Sequence, residues 1–421
     1  MDQYIIKGGN PLVGEVEIGG AKNAALAILA TAIMTDETVT IENLPDVRDI
    51  NVMLNAIEGI GAMVERVDAH TVKINGSMIS NLTVAYEYIK KIRASYYLLG
   101  ALLGKYKKAE VALPGGCDIG SRPIDLHLKG FRALGAAVDI HHGLISAVAD
   151  TLRGTHIYLD KVSVGATINI MMAAAIAEGT TILKNAAQEP EVQDLADFLR
   201  KMGAEIEGDG TNTITIHGVS NLHSADHQVM ADRIEAGTFL CAVAGAGGDI
   251  TLKKCPVYAL DAVIEKLRLA GLEVNIIDNE TINAKMNGKI KAVNVQTAPY
   301  PAFPTDMQAQ FMAVMLKSDG VSVINESIFE NRFMHVPELK RMGADISLND
   351  SNAVVKGVTA FSGAPVMASD LRASAGLVIA ALMADHTSSV HRIYHLDRGY
   401  EGFEKKLNSL GAKIVRTEDN E

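Results

Sequence analysis

One phrase recurs six times along this 421-residue chain, and it limits the possible folds more than any other feature. An amphipathic segment ends in a Gly-centred turn, and a short β-like run follows. The instances are IEGIGAMVE around Gly61, FRALGAAVD around Gly135, LRKMGAEIE around Gly203, LRLAGLEVN around Gly271, LKRMGADIS around Gly343 and LNSLGAKIV around Gly411. Successive glycines lie 68 to 74 residues apart. A fixed period is the mark of a repeated supersecondary unit, and this one is long enough for each unit to hold several elements. The glycine has a local reason. It follows a Leu- and Lys-rich helix and supplies the left-handed conformation that ends it.

A second phrase precedes the first in each unit: an apolar, Ala-rich helix, a turn, then a strand rich in Thr, Val and Ile. The first unit reads AKNAALAILATAIMTDETVTIENL, the third VGATINIMMAAAIAEGTTILKNA and the sixth LRASAGLVIAALMADHTSSVHRIYHL. A helix that is apolar on nearly every face is predicted to be buried, and its amphipathic partner to lie outside. Each unit is therefore two helices plus a few strands, an α/β class. Six units divide into two domains of three. The seam is predicted near residue 230, in SNLHSADHQVMADR, with a site where the ends of buried helices converge in the cleft between the domains.

Composition excludes several function classes. The formal net charge of −11 gives no general attraction for nucleic acid or an anionic membrane. The opening MDQYIIKGGN lacks a basic region followed by an apolar core, so no signal peptide is expected. The most apolar stretches are broken by Gly, Thr and Asn, so no membrane insertion is expected either. Three cysteines, Cys117, Cys241 and Cys255, form an odd and sparse set that suits a reducing, cytoplasmic compartment. The sequence has no phosphate-loop or dinucleotide fingerprint and no His or Cys cluster with metal-ligand spacing. Neither a metal nor a cofactor is expected.

The basic residues fall where helices begin. Lys22 and Asn23 open the first apolar helix, Arg93 the second, Arg233 the fourth and Arg372 the sixth. A cation at a helix N-terminus meets the positive end of the macrodipole, at a cost of about 0.3–1 kcal/mol. A recurrent cost of this kind implies an anion, and a helix start plus Lys or Arg makes a phosphate site. Arg48, Arg122 and Arg398 each lie 13 residues before the glycine of their unit. Taken one at a time these are solvated surface charges. Together they predict an acidic protein that focuses positive potential on a multiply phosphorylated substrate.

Two segments carry candidate reagents. In ALPGGCDIGSRPIDLHLKG, Cys117 sits among Gly115, Gly116 and Gly120, beside Asp118 and five residues before Arg122. A thiol near an Arg gains reactivity, an effect that Asp118 opposes. Cys241, in GTFLCAVAGAG, suits a buried apolar role instead. In TAPYPAFPTDMQAQF, three prolines lead into a helix and place Thr305 or Asp306 at its N-cap. The carboxylate is either a plain cap or a base aimed at substrate.

With these residues in view, the chain resembles the UDP-N-acetylglucosamine 1-carboxyvinyltransferases, the cell-wall enolpyruvyl transferases, over essentially its whole length. The matching segments include GAKNAAL, KIRAS, LPGGCDIGSRPIDLH, DKVSVGAT, DRIEAGTFL, AFPTDMQAQF, FENRFMHVPEL, DLRAS and DRGYE. The related shikimate-pathway transferases share the fold but not the Gly-Gly-Cys loop. The resemblance implies two inside-out α/β barrel domains of three repeats each, with helices inside. One domain is 22–229. The other is 230–421 joined by 1–21.

The resemblance also assigns roles. Cys117 matches the general acid for the phosphoenolpyruvate methylene, which can form a covalent adduct and is alkylated by fosfomycin. Lys22, Arg122 and Arg398 match the residues that hold the phosphate and carboxylate of phosphoenolpyruvate, with Asn23 and Arg93 beside them. Asp306 matches the base for the sugar 3′-hydroxyl. Arg122, Pro123, Ile124, Asp125, Leu126, Lys161, Val162, Ser163, Val164, Asp306 and Ile328 match contacts to the UDP-sugar, and Arg332 and Arg372 match cleft arginines. The implied reaction is an addition–elimination that commits carbon to peptidoglycan, and with it to cell shape and division. The competing readings are an enzyme for shikimate 3-phosphate and a ligand-binding regulatory paralogue.

Overall fold

Six four-stranded sheets share one pattern, and that pattern follows from the repeat. The computed structural model describes residues 2–113 and 124–418 and, within them, every side chain but that of Arg93. Among these residues the chain forms two compact units, one within 20–230 and one made of 2–19 and 231–418.

In the first unit, a sheet of Asp226–Gln228, Thr38–Glu42, Val72–Asn75 and Met63–Arg66 pairs parallel, antiparallel, antiparallel in that order. The same order of pairings recurs in the sheet of Thr83–Val84, Lys108–Ala112, Leu144–Val148 and Ala137–His141. It recurs again in His156–Tyr158, Thr180–Lys184, Thr213–His217 and Glu205–Glu207. Each repeat lends its neighbour the outer parallel strand. The last such strand, Asp226–Gln228, returns to the first sheet and closes the ring of three.

The second unit repeats this arrangement. One sheet is Leu12–Glu17, Gly248–Lys253, Thr281–Met286 and Glu273–Asp278; the next is Val295–Gln296, Val321–Asn325, Asn352–Lys356 and Asp345–Asn349. The last is Pro365–Met367, Thr387–His391, Asp2–Lys7 and Ile414–Glu418. Asp2–Lys7 takes the place that the second strand of a C-terminal hairpin fills in the other sheets.

Helices fill the inside of each unit. Leu371–Met383 is buried at all 13 positions, and it packs with Arg233–Ala246 and Gln308–Met315. In the other unit Lys22–Ala32 and Val164–Ala174 both pack on Tyr97–Tyr106. The amphipathic helices, such as Pro190–Lys201, keep one polar face. The buried inner helices are those expected from the repeat, and the inside-out form is the one that the resemblance implies. One expected start differs: the second apolar helix begins at Tyr97, because Arg93–Tyr96 forms a tighter 3₁₀ turn ahead of it.

All six recurrent glycines have φ between +96° and +106°. At the first, Gly61 N–H donates to Glu58 O and Ala62 N–H to Ile57 O, which is the Schellman closure of a helix end. Gly343 isolates the backbone effect, because a Cβ added there would meet no heavy atom within 4 Å. Gly343→Ala is therefore expected to cost about 1–2 kcal/mol of unfolding free energy from conformation alone. A denaturant titration that shows no loss would contradict the strained-cap reading.

Candidate active site

Two of the cations that open helices, Lys22 and Arg372, sit on the protein's own carboxylates. In the unit within 20–230, Lys22 begins the helix Lys22–Ala32 and is only 8% exposed. Its Nζ donates to Asp49 Oδ2 at 3.1 Å, and Asp49 lies in the first turn of Arg48–Gly59. Asn23 beside it is exposed.

A second cluster gathers around His127, on the helix Asp125–Ala133. Asn169 Nδ2 donates to His127 Nδ1 at 2.9 Å, while Asn169 Oδ1 accepts from the Gly100 N–H at 3.0 Å. The Tyr96 ring meets the imidazole edge-on at 5.0 Å. Gly165 fits against both side chains, since a Cβ there would come within 3.1 Å of the imidazole and of the Tyr96 hydroxyl. This close approach brings the start of Asp125–Ala133 against the start of Val164–Ala174, the latter capped by Ser163 through the Ala166 N–H. Ile124, Asp125 and Leu126 stand at the start of the first of these helices, and Lys161, Val162, Ser163 and Val164 at the start of the second. Ile124 is buried, Asp125 and Lys161 are exposed, and the rest are half-buried.

In the other unit Asp306 is the hub. Its Oδ1 accepts from Arg332 Nη2 at 2.9 Å, and its Oδ2 from Arg372 Nη2 at 3.0 Å and Nε at 3.2 Å. Both arginines are buried, whereas a quarter of the Asp306 side chain is exposed. The expected N-cap is corrected here. Asp306 lies inside the 3₁₀ turn Thr305–Met307, ahead of Gln308–Met315, with its carboxylate turned to the two guanidiniums rather than to helix N–H groups. Burial pulls the Arg372 pKa down, and the Asp306 charge, with smaller help from Tyr400 and Asp232, more than reverses it, so Arg372 is held charged. True N-caps stand elsewhere: Asp232 caps the helix that Arg233 opens, and Asp370 caps the one carrying Arg372. Arg233 stacks over the Tyr300 ring at 5.5 Å.

Ile328 is half-buried near this hub, in the loop that leads to Arg332. Arg398 ends the 3₁₀ helix Ile393–Arg398 and is half-buried. Cys117, Arg122, Pro123 and the Arg93 side chain lie outside the described residues. Cys241 and Cys255 are buried; burial pushes the Cys255 thiol up to about 12 and the Cys241 thiol upward as well. Sequence reasoning missed Asp49, Glu326 and His127. Each meets a side chain more than 20 residues away, and no local pattern signals such a meeting.

His335, 1% exposed, is pushed down to about 4 by burial, with Asp370 opposing and Arg332 adding to the shift. An unfolded His titrates near about 6.5. Between those values the unfolded chain binds more protons, so stability falls as pH drops through that window. The expected loss by pH 4 is roughly 3 kcal/mol, at about 1.4 kcal/mol per pH unit. His335→Gln should flatten the melting temperature between pH 6.5 and 4; equal pH dependence in both proteins would contradict this.

Comparison with known proteins agrees with this architecture. The family model described as EPSP synthase (3-phosphoshikimate 1-carboxyvinyltransferase) matches residues 6–407. The chain belongs to this family of carboxyvinyl transferases. A UDP-N-acetylglucosamine 1-carboxyvinyltransferase from Geotalea uraniireducens is 54% identical over 419 residues, covering 100% of both chains. Among solved structures, the enolpyruvyl transferase NikO from Streptomyces tendae superposes with a TM-score of 0.89 at 26% identity, over 99% of each chain. EPSP synthase from Acinetobacter baumannii shares the fold, with a TM-score of 0.76 at 19% identity over 99% of this chain and 100% of that one. Among the described residues no helix is long and apolar enough to cross a membrane, and no group of three or more His, Cys, Asp or Glu could hold a metal ion.

Proposed function

We propose that this chain transfers the enolpyruvyl group of phosphoenolpyruvate to the 3′-hydroxyl of UDP-N-acetylglucosamine, releasing phosphate. The observation that carries the reading is the 54% identity, end to end, with a transferase named for that acceptor. The chemistry needs one proton delivered to the methylene and one removed from the hydroxyl. Cys117 delivers the first and Asp306 takes the second. As the acceptor oxygen bonds to the central carbon, the methylene becomes a methyl group. Breaking the carbon–phosphate oxygen bond releases phosphate, and return of a methyl proton to the Cys117 thiolate restores the carbon–carbon double bond, now as an enol ether.

Asp306 suits its part. Its two oxygens accept three guanidinium N–H bonds, which hold the carboxylate in one orientation on a partly exposed side chain. Lys22, Arg122 and Arg398 hold the phosphate and carboxylate, and Asn23 and Arg93 stand beside them. Pro123 to Leu126, Lys161 to Val164 and Ile328 contact the sugar nucleotide. The two three-repeat domains are read as 22–229 and as 230–421 joined by 1–21, whereas the compact units divide at 19/20 and 230/231. The sparse cysteines and the phosphorylated substrates point to the cytoplasm, to peptidoglycan synthesis and through it to cell shape and division.

The family model is named for a second acceptor, shikimate 3-phosphate. Nuclear magnetic resonance of the product formed in heavy water separates the readings. Deuterium in the vinyl methylene of an enol ether on the sugar 3′-oxygen is expected. Product formed only when shikimate 3-phosphate is supplied would overturn the sugar-nucleotide acceptor.

A further inference from the structure

The Asp306 turn is tied to the loop carrying Ile328 and Arg332 by one buried carboxylate that the reaction itself does not use. Glu326 directly follows the strand Val321–Asn325 and is 3% exposed. Its backbone N–H donates to Ser351 O at 2.8 Å, so the residue is anchored at the strand end. Its Oε1 accepts from the Thr297 hydroxyl at 2.9 Å, the Ile328 N–H at 2.9 Å and the Phe329 N–H at 3.3 Å. Its Oε2 accepts from the Thr305 hydroxyl at 2.9 Å. All four donors are neutral, and three separate chain segments converge on one side chain.

The Thr305 bond sets a direction. A hydroxyl has one proton, and Thr305 gives it to Glu326, so its lone pairs face the other way. There they accept from Arg332 Nη1 at 2.9 Å, while Nη2 of the same guanidinium donates to Asp306 Oδ1 at 2.9 Å. Glu326, Thr305, Arg332 and Asp306 thus form one hydrogen-bonded chain that ends on the carboxylate assigned to take the acceptor's proton. Arg332 is held at its other end too, because Gln308 Nε2 donates to its carbonyl at 3.1 Å.

We propose that Glu326 is a positioning residue for the transfer. By fixing the polarity of the Thr305 hydroxyl and the Ile328 turn, it sets the orientation of Arg332 and hence of Asp306. The proposal rests on the reading of Asp306 as proton acceptor. Glutamine at this position keeps the volume but offers one accepting oxygen where four donors converge, and its NH₂ group would face a donor. The Thr305–Arg332 contact is then free to rotate. A misplacement of about 1 Å in a reacting group can cost about 10²-fold in rate.

The test is steady-state kinetics of the full chain with phosphoenolpyruvate and UDP-N-acetylglucosamine, at a temperature where every variant is folded by circular dichroism. Glu326→Gln is expected to lower kcat about 10²-fold, with the KM for phosphoenolpyruvate within about twofold of the parent. Thr305→Val should match it, Thr305→Ser should restore most of the rate, and the double variant Glu326→Gln/Thr305→Val should be no slower than either single one. A parental kcat for Glu326→Gln, or fully multiplicative losses in the double variant, would overturn the positioning role. A parent chain that turns over neither substrate would instead overturn the transferase reading, and the role with it.

Discussion

Cys117→Ser is expected to lose turnover by about 10³-fold or more while still binding the sugar nucleotide. A positioned general acid contributes about 10²–10⁴-fold. A thiol titrates near about 8.5, within reach of neutral pH, and an alcohol hydroxyl does not. The remaining cysteines cannot stand in for it. Burial pushes Cys255 up to about 12 and raises Cys241 as well, so neither presents a thiolate in the folded chain. Fosfomycin should accordingly add to the native parent at a single thiol and leave Cys117→Ser unlabelled. Mass spectrometry of the intact chain after exposure, alongside kcat, checks both halves. Full activity in the serine variant, or labelling at Cys241, would remove Cys117 from its role.

The second large effect is at Asp306, where stability and chemistry are lost together. Asp306→Ala removes the acceptor of three guanidinium N–H bonds and leaves Arg332 and Arg372 buried without it. Breaking a buried pair from one side costs about 3–5 kcal/mol, because the remaining charge is uncompensated. At about 2–4 °C per kcal/mol for a domain of this size, melting should fall by about 6 °C or more. Turnover should drop by about 10²–10⁴-fold, since the proton acceptor is gone. Asp306→Asn separates the effects. It keeps one oxygen for the arginines and recovers part of the melting temperature without recovering turnover. A slow but stable alanine variant would mean that the arginines do not depend on Asp306, and a fast asparagine variant would mean that it is not the base.

The repeat made the architecture legible for a physical reason. A helix that ends on a positive-φ glycine and a helix without a polar face are local statements, written in adjacent residues. Gly61, Gly203 and Gly343 announce their turns in nine-residue phrases, and Leu371–Met383 announces its burial by having almost nothing polar to show. Pairings between distant strands carry no such mark. Nothing in the periodicity signals that Asp2–Lys7 lies between Thr387–His391 and Ile414–Glu418.

The same divide runs through the candidate site. Lys22, Arg233 and Arg372 stood out because a cation at a helix start opposes the macrodipole. What offsets that cost was not visible. For Lys22 it is Asp49, 27 residues on, and for Arg372 it is Asp306 in another repeat. The prolines before Asp306 suggested a capping turn, but a 3₁₀ turn and two facing guanidiniums redirect the carboxylate. Glu326 gave no signal at all, since its meaning lies in Thr297, Thr305 and the Ile328 amide converging on it.

Phosphate release decides the reaction. The purified chain is mixed with phosphoenolpyruvate alone, then with UDP-N-acetylglucosamine added, then after treatment with fosfomycin. Release that requires the sugar nucleotide and stops with the drug is the expected result, and it joins the reaction, the acceptor and the reactive thiol in one experiment. Release from phosphoenolpyruvate without any acceptor, or none in any mixture, would contradict the transfer.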